Sequence, residues 1–139
     1  MMKRIFAILF ATLSALAVSA QRPFEGFFTS DKLNLRCQLN LYADSIPVPG
    51  LEMDSCYGYL QGKINGTWVI LKIKEMDEKS ALVRAVSDRG SDGQDVRIVL
   101  TDNGVSMTLV DDNNMKAISG RKYVKMPKPF KLERMKSEK

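Results

Sequence analysis

The side chains that most often carry catalysis and metal binding are scarce in this chain of 139 residues. It contains no histidine, which excludes His-based catalytic triads, His general bases and His-ligated metal sites. Its two cysteines are too few for a zinc site built from four thiolates. The sequence also lacks a Gly-x-Ser-x-Gly elbow, a phosphate-binding loop and a dinucleotide fingerprint. We therefore expect a protein that is not an enzyme and has no catalytic residues and no cofactor.

The segment Asp88–Asp95 concentrates oxygen ligands, since it holds three carboxylates and two glycines. Oxygen-rich loops of this kind suit calcium. The spacing does not fit an EF-hand loop, however, and Arg89 opposes a cation. We interpret the segment as an ordinary loop between strands and expect no metal site.

Residues 1–20 have the three-part pattern of a secretory signal peptide. Lys3 and Arg4 precede the uncharged stretch Ile5–Val18, and small residues lead to a cleavage site at Ala20-Gln21. The apolar stretch is shorter than the roughly 20 residues that span a bilayer. No cysteine lies near the cleavage site to carry a lipid anchor. We expect a bacterial protein that is periplasmic or secreted, with no transmembrane segment in the mature chain.

Export favours a disulfide between Cys37 and Cys56, because thiols outside the cytosol tend to oxidise. Apolar and polar residues alternate over Leu33–Tyr42, which places Cys37 on the buried face of a strand. If Cys37 faces Cys56 in an antiparallel hairpin, Arg36 lies opposite Tyr57. Closing this loop would contribute about 3 kcal/mol by restricting the unfolded chain. The alternatives are two free buried thiols and a redox pair, although the CxxC spacing of redox motifs is absent.

Short alternating runs separated by turn residues fill the rest of the mature chain. Asn65-Gly66, between two such runs, is the strongest hairpin signal, because both turn positions need positive φ. Strands joined by tight turns pair antiparallel. We predict one all-β domain over residues 21–134, an antiparallel meander of about eight strands closed into a small barrel. A two-sheet β-sandwich is the alternative, and residues 135–139 are expected to form a flexible basic tail.

An early Gly-x-aromatic strand followed by up-and-down hairpins resembles the small calycin or lipocalin-like barrels. The motif is Gly26-Phe27-Phe28, where that superfamily usually has Gly-x-Trp. The resemblance implies a closed barrel with a ligand inside. It also implies that Arg121 or Arg134 is the basic residue that packs on the aromatic side chain near the end of such barrels.

The registers predicted for two neighbouring hairpins agree on the residues that face the barrel interior. A two-residue turn at Asn65-Gly66 pairs Leu60 with Leu71, and the glycines beside Leu60 leave space. A small barrel whose interior is not filled holds one small ligand. The alternative is that these glycines mark bulges or permit strong bending. The expected lining of an apolar ligand cavity is Leu35, Leu39, Gly58, Leu60, Gly62, Val69, Leu71 and Ile73.

The same registers place aromatic residues on the outer face of the sheet, near an arginine. Tyr, Trp and Arg dominate binding hot spots, and Arg over a Tyr ring is favourable. An ordinary solvated face is the alternative. The expected interaction surface is Arg36, Tyr42, Tyr57, Tyr59 and Trp68.

Positive charge is concentrated near the C-terminus, where residues 116–139 hold nine Lys or Arg and two acidic residues. A basic end attracts nucleic acid, anionic lipid or anionic glycan. Export and the lack of a base-stacking aromatic run disfavour nucleic acid, and we interpret the segment as a solvated, flexible end.

Together these features predict an exported, non-enzymatic binding protein whose small barrel holds an apolar small ligand. The alternative is a protein-binding or inhibitor-like module of the cell envelope that acts through its outer sheet face. The expected partner is accordingly a small apolar ligand or an envelope or extracellular protein, and not a nucleic acid.

Overall fold

The computed structural model describes residues 22–51, 55–89 and 93–135. The strands in these ranges are β1 (Glu25–Ser30), β2 (Leu35–Asn40), β3 (Gly58–Gly62), β4 (Trp68–Met76), β5 (Ser80–Ser87), β6 (Gly93–Leu100), β7 (Gly104–Val110), β8 (Lys116–Ser119), β9 (Lys122–Lys125) and β10 (Phe130–Arg134). The predicted signal peptide and residues 136–139 of the predicted tail lie outside the described residues.

Eight of the strands form a closed antiparallel barrel in the order β1-β10-β7-β6-β5-β4-β3-β2, and β8 pairs with β9 in a separate hairpin. The predicted all-β meander and its closure into a small barrel are therefore confirmed. Within the described ranges, no helix is long and apolar enough to cross a membrane.

Large apolar side chains fill the barrel interior. Successive side chains of a strand point to opposite faces, so alternate residues turn inward. Trp68, Phe28, Phe130 and Met107 are among the largest of these, and all four are fully buried in one cluster. A barrel of eight strands has an interior just wide enough for its own side chains to fill.

The β3–β4 hairpin has a different register from the predicted one, and the difference reverses the predicted faces of three side chains in β4. Leu60 lies opposite Trp68 rather than Leu71. The slip is an odd number of residues, and such a slip exchanges the two faces of a strand. Trp68 therefore turns into the core, whereas Val69 and Leu71 turn outward.

The cause of the slip is the connection between the two strands. The segment Lys63–Thr67 separates β3 from β4, so Asn65-Gly66 does not close a two-residue hairpin. Ile64 is buried in the core instead and bridges to Ala117. Asn65 lacks the positive φ that a two-residue turn of type I′ requires.

Irregular pairing along β4 brings Ile73 back to the inner face. The register with β5 shifts between Ile70 and Lys72, which marks Leu71 as the bulged residue. Ile73 lies opposite Val83 and packs against the core, on the inner face that was predicted for it. Leu71 is 45% exposed and faces solvent.

The predicted disulfide is not formed. Cys37 lies opposite Leu60 in the β2–β3 register, whereas Cys56 precedes β3 and bridges to Ile46. Both cysteines are free and buried, and they belong to different hydrophobic clusters. The observed β2–β3 pairing differs from the predicted one by an even number of residues. An even shift leaves every side chain on its predicted face of the sheet, so Cys37 and Leu60 still point inward.

The segment between β2 and β3 is more than a turn, because it folds over the outer face of the barrel wall. Ile46 and Val48 pack there against Tyr59 and Val69 in a second small cluster. The Cys56 thiol is in the same cluster and donates to the carbonyl oxygens of Ile46 (3.3 Å) and Gly58 (3.2 Å). We call residues 41–51 and 55–57 the flap.

Arg134 ties β10 to β1. Its guanidinium carbon lies 4.7 Å from the centroid of the Phe28 ring, and Nη1 donates to the carbonyl oxygen of Glu25 (2.7 Å). Glycine is favoured at position 26 because its φ of +144° is a backbone conformation that residues with a side chain rarely adopt, and a Cβ there would also displace the Arg134 guanidinium. The resemblance implied that either Arg121 or Arg134 packs on the aromatic residue. Arg134 is the one that does so, whereas Arg121 lies in the β8–β9 turn.

Trp68 is the chain's one tryptophan, so its fluorescence reports the β3–β4 register directly. Because the indole is buried, we expect native emission to be blue-shifted and poorly quenched by acrylamide, with both properties lost in denaturant. Native emission equal to that of the denatured chain would show that Trp68 faces solvent, as the two-residue turn implied.

Thiol titration tests the state of the two cysteines. Burial raises the pKa of the Cys37 thiol and that of Cys56, so we expect little reaction with a thiol reagent in the native protein. Two thiols should react after unfolding without reductant, and one in the Cys56→Ser variant. Reaction only after a reductant is added would instead demonstrate the disulfide.

Candidate functional site

The residues predicted to line a ligand cavity are packed against protein atoms. Leu35, Leu39 and Leu60 are each 1% exposed and lie within the filled core. The two glycines make room for neighbouring backbone: a Cβ at Gly58 would lie 2.5 Å from the carbonyl oxygen of Gln38, and one at Gly62 would overlap that of Asn34. The close approach of chains thus accounts for the glycines, as in the bulge or bending alternative.

Three residues of that predicted set lie in three different environments. Val69 is buried beneath the flap, on the outer side of the wall. Leu71 faces solvent, and Ile73 packs at the margin of the core. The set therefore does not enclose one site, because the odd slip in β3–β4 turned Val69 and Leu71 to the outer side of the wall.

The predicted aromatic surface is not assembled either. Trp68 is in the core, Tyr59 is covered by the flap, and Tyr57 is half-buried against the core. Arg36 and Tyr42 are both exposed, but Arg36 lies near the start of β2 and Tyr42 lies beyond its end. The Tyr42 hydroxyl accepts a hydrogen bond from the Phe24 amide, and its ring stacks with Arg22.

A different surface is built where the β8–β9 hairpin meets the barrel. Gly120, at the first position of the two-residue turn, has φ +64°, as a type II′ turn requires. β8 is joined to the segment after β3, because the Ile118 amide donates to the Lys63 carbonyl (3.0 Å) and the Asn65 amide to the Lys116 carbonyl (3.0 Å). One edge of β8 is thus hydrogen-bonded to the barrel segment that follows β3, and its other edge is hydrogen-bonded to β9.

The Asn65 side chain fixes this junction. Its Oδ1 accepts hydrogen bonds from Trp68 Nε1 (3.2 Å) and from the Lys116 amide (2.8 Å). Its Nδ2 donates to the carbonyl oxygen of Asn114 (2.9 Å). One amide group therefore links the core tryptophan, the base of the hairpin and the segment that precedes it.

A second amide network holds that preceding segment across the end of the barrel. Gln94 is fully buried; its Oε1 accepts from the Asn114 amide (2.7 Å) and its Nε2 donates to the Asp112 carbonyl (2.9 Å). Asn114 Nδ2 donates in turn to the Gly93 carbonyl (2.7 Å). Satisfied buried networks of this kind specify one arrangement, and here they fix the direction in which the hairpin leaves the barrel.

Two adjoining clefts open at this end of the barrel. The first, of about 340 Å³, is lined by Asn65, Trp68, Ser87, Arg89, Asn114, Lys116 and Tyr123. The second, of about 310 Å³, shares Arg89 and also includes Arg36 and Asp88. The Asp88 carboxylate accepts a hydrogen bond from the Thr67 amide. In the described part of the chain, neither Arg36, Arg89 nor Lys116 forms an ion pair.

The hairpin carries further cations beside these clefts, and its Tyr123 ring lines the first of them. Tyr123 is 59% exposed, and no acidic residue occurs between Asn113 and Leu132. We call the cations of the two clefts and the hairpin the basic rim; its members are Arg36, Arg89, Lys116, Arg121, Lys122 and Lys125. Cations without acidic partners beside an exposed tyrosine suit an anionic partner.

Carboxylates with shifted pKa values lie away from the basic rim and have structural partners. Hydrogen bonds from Lys74 Nζ (2.7 Å) and Arg84 Nη1 (2.9 Å) lower the pKa of Asp95. Hydrogen bonds from the amides of Lys79 and Ser80 lower the pKa of Asp77 in the β4–β5 turn.

The loop considered for calcium is only partly described, since residues 90–92 lie outside the described ranges. Of its other two carboxylates, Asp95 is engaged by Lys74 and Arg84, and Asp88 by the Thr67 amide. No cluster of three acidic or thiol ligands occurs in the described ranges.

Asn65→Ala tests the junction. The change leaves the Trp68 indole and the Lys116 amide without an acceptor, so we expect a loss of about 2 kcal/mol in the free energy of unfolding, measured in urea. Asn113→Ala is the matched control: its side chain makes no hydrogen bond within the described ranges, so its effect should be below about 0.5 kcal/mol. Equal stability of the two variants would contradict the role of Asn65.

A comparison of the chain with protein-family models, curated proteins and solved structures gives no match. The basis for a function is therefore the barrel and the basic rim themselves.

Proposed function

We propose that this protein is an exported, lipocalin-like binding module without catalytic activity, which holds an acidic protein partner at its basic rim. The lipocalin-like assignment is supported by the closed meander and by the contact of Arg134 with Phe28. Export is supported by the signal-like pattern of residues 1–20. The binding role is the protein-binding alternative that the sequence suggested, but here it is assigned to the basic rim instead of the outer sheet face.

The filled interior is the observation that carries this proposal. An apolar ligand inside the barrel would have to displace fully buried side chains such as Phe28, Trp68 and Met107. Removing a large side chain from a packed core costs several kcal/mol. A barrel with this interior favours binding on its outside.

Charge selects the kind of partner. The basic rim combines clustered cations with the exposed Tyr123 ring, and the hairpin segment between Asn113 and Leu132 lacks acidic residues. Complementary charge steers association and fixes the choice of partner more than it adds affinity. In an exported protein, such a surface suits an acidic protein segment better than nucleic acid.

A non-catalytic role agrees with the titratable groups. Shifted pKa values often mark active sites. Here those of Asp95 and Asp77 are explained by an ion-pair cluster on the barrel wall and by a turn. Neither carboxylate lines the clefts of the basic rim.

Charge-reversal variants and two fluorescent probes test the proposal. We expect fluorescein-labelled oligoglutamate to bind with an affinity that falls as salt rises, and the double variant Arg89→Glu/Lys116→Glu to bind at least about tenfold more weakly. Lys79→Glu, in the β4–β5 turn, is the control and should change binding by less than about twofold.

The uncharged dye Nile red is the second probe, because it reports an apolar cavity. We expect no saturable binding by the native protein. Saturable Nile red binding that fatty acid competes away, together with oligoglutamate binding unaffected by the double variant, would contradict the proposal in favour of a ligand inside the barrel.

A further inference from the structure

The outer edge of β9 has hydrogen-bonding groups with no partner among the described residues. In β8, Lys116 and Ile118 direct their backbone groups to the segment after β3. Backbone groups of a strand alternate between its two edges, so Ala117 and Ser119 are the residues that bond to β9. Their register partners are Val124 and Lys122, which leaves Tyr123 to direct its N–H and C=O outward. Lys125 does the same at the end of the strand.

The side chains of this edge are accessible on both faces. Tyr123 is 59% and Val124 41% exposed, and all four residues of β9 are exposed. Tyr123 lies on the same face as Lys116, beside the first cleft, whereas Val124 lies on the opposite face. Aromatic and β-branched residues of this kind pair well across neighbouring strands.

We propose that β9 binds an extended acidic peptide segment of the partner as an added antiparallel strand, an inference that rests on the proposed function and specifies its binding mode. Regularly spaced N–H and C=O groups on an open edge supply main-chain hydrogen bonds to such a segment, and the alternating side chains supply specificity. The antiparallel ladder is the slightly more stable of the two pairings.

Charge distinguishes an acidic peptide from a second copy of this chain. Pairing of β9 with another β9 would bring Lys122 and Lys125 of both copies into one short ladder. Like charges across strands are destabilising, and lysines on an edge oppose self-pairing for that reason. An acidic strand removes this repulsion and places carboxylates next to both lysines.

The register predicts which residues the peptide presents. An antiparallel strand reads, from its N-terminus, an acid opposite Lys125, a β-branched residue opposite Val124, an aromatic residue opposite Tyr123 and an acid opposite Lys122. A labelled peptide with the core Glu-Val-Tyr-Glu, flanked by serine and threonine, is the corresponding probe. In this peptide the tyrosine amide points toward β9 and the valine amide points away.

N-methylation of the probe separates strand addition from simple charge attraction. Methylating the tyrosine amide removes a ladder hydrogen bond and places a methyl group against β9, so we expect binding at least about tenfold weaker. Methylating the valine amide, which points away from the ladder, should change binding by less than about threefold. The two peptides have the same charge and composition.

Substitutions in the protein provide the reciprocal test. Tyr123→Pro removes the outward N–H and no hydrogen bond of the hairpin, and proline is tolerated on edge strands in this position. We expect it to lose peptide binding about tenfold or more, whereas Tyr123→Thr, which keeps the open edge, should lose less. Blue-shifted Trp68 emission shows that each variant has folded.

The outcomes separate this inference from the proposed function. If oligoglutamate binds but both methylated peptides bind equally well, the rim attracts acidic chains without strand addition and the inference fails alone. If the wild-type protein binds neither oligoglutamate nor the peptide, both fail. A concentration-dependent dimer in sedimentation that Tyr123→Pro abolishes would overturn the inference in favour of a second copy.

Discussion

The hydrogen bond from the Trp68 indole to Asn65 Oδ1 is the interaction on which both the packed interior and the basic rim depend. Burying tryptophan is favourable when its N–H finds a partner, and an orphaned donor would cost about 1–3 kcal/mol. The same oxygen accepts from the Lys116 amide, so the group that lets Trp68 fill the barrel also fixes the start of the hairpin. The Asn65 side chain thus contributes both to closing the barrel interior and to positioning the outer surface.

The sequence was sufficient for the fold and for the faces of β2 and β3, because strict alternation sets which residues turn inward whatever the register. Leu35, Leu39 and Leu60 point inward although the predicted β2–β3 pairing was wrong, since its error was even. The β3–β4 pairing was not predictable in this way. Asn65-Gly66 has the composition of a tight turn, but the Asn65 amide bonds to residues far along the chain, and a local pattern does not contain such contacts.

The residues of the two predicted sites are not brought together for the same reason, since both sets depended on long-range contacts. Tyr59 and Val69 are covered by the flap. The prolines and glycine of the flap are typical of a turn, and the apolar Ile46 and Val48 at alternate positions are the signal in the sequence that it packs. The basic stretch was visible in the sequence, and within the described ranges it is a hairpin and a barrel strand rather than a flexible end. Tyr123 at its centre lacked any signal except its position in a segment free of acidic residues.

Hydrogen exchange of the Trp68 indole, followed by NMR, tests the central claim most directly. If this N–H seals the interior and anchors the hairpin, it exchanges only on global unfolding and shows a nuclear Overhauser contact to the Lys116 amide proton. Exchange as fast as that of a free indole, without this contact, would contradict the account, because Trp68 would then lie outside the core and the hairpin would lose its attachment.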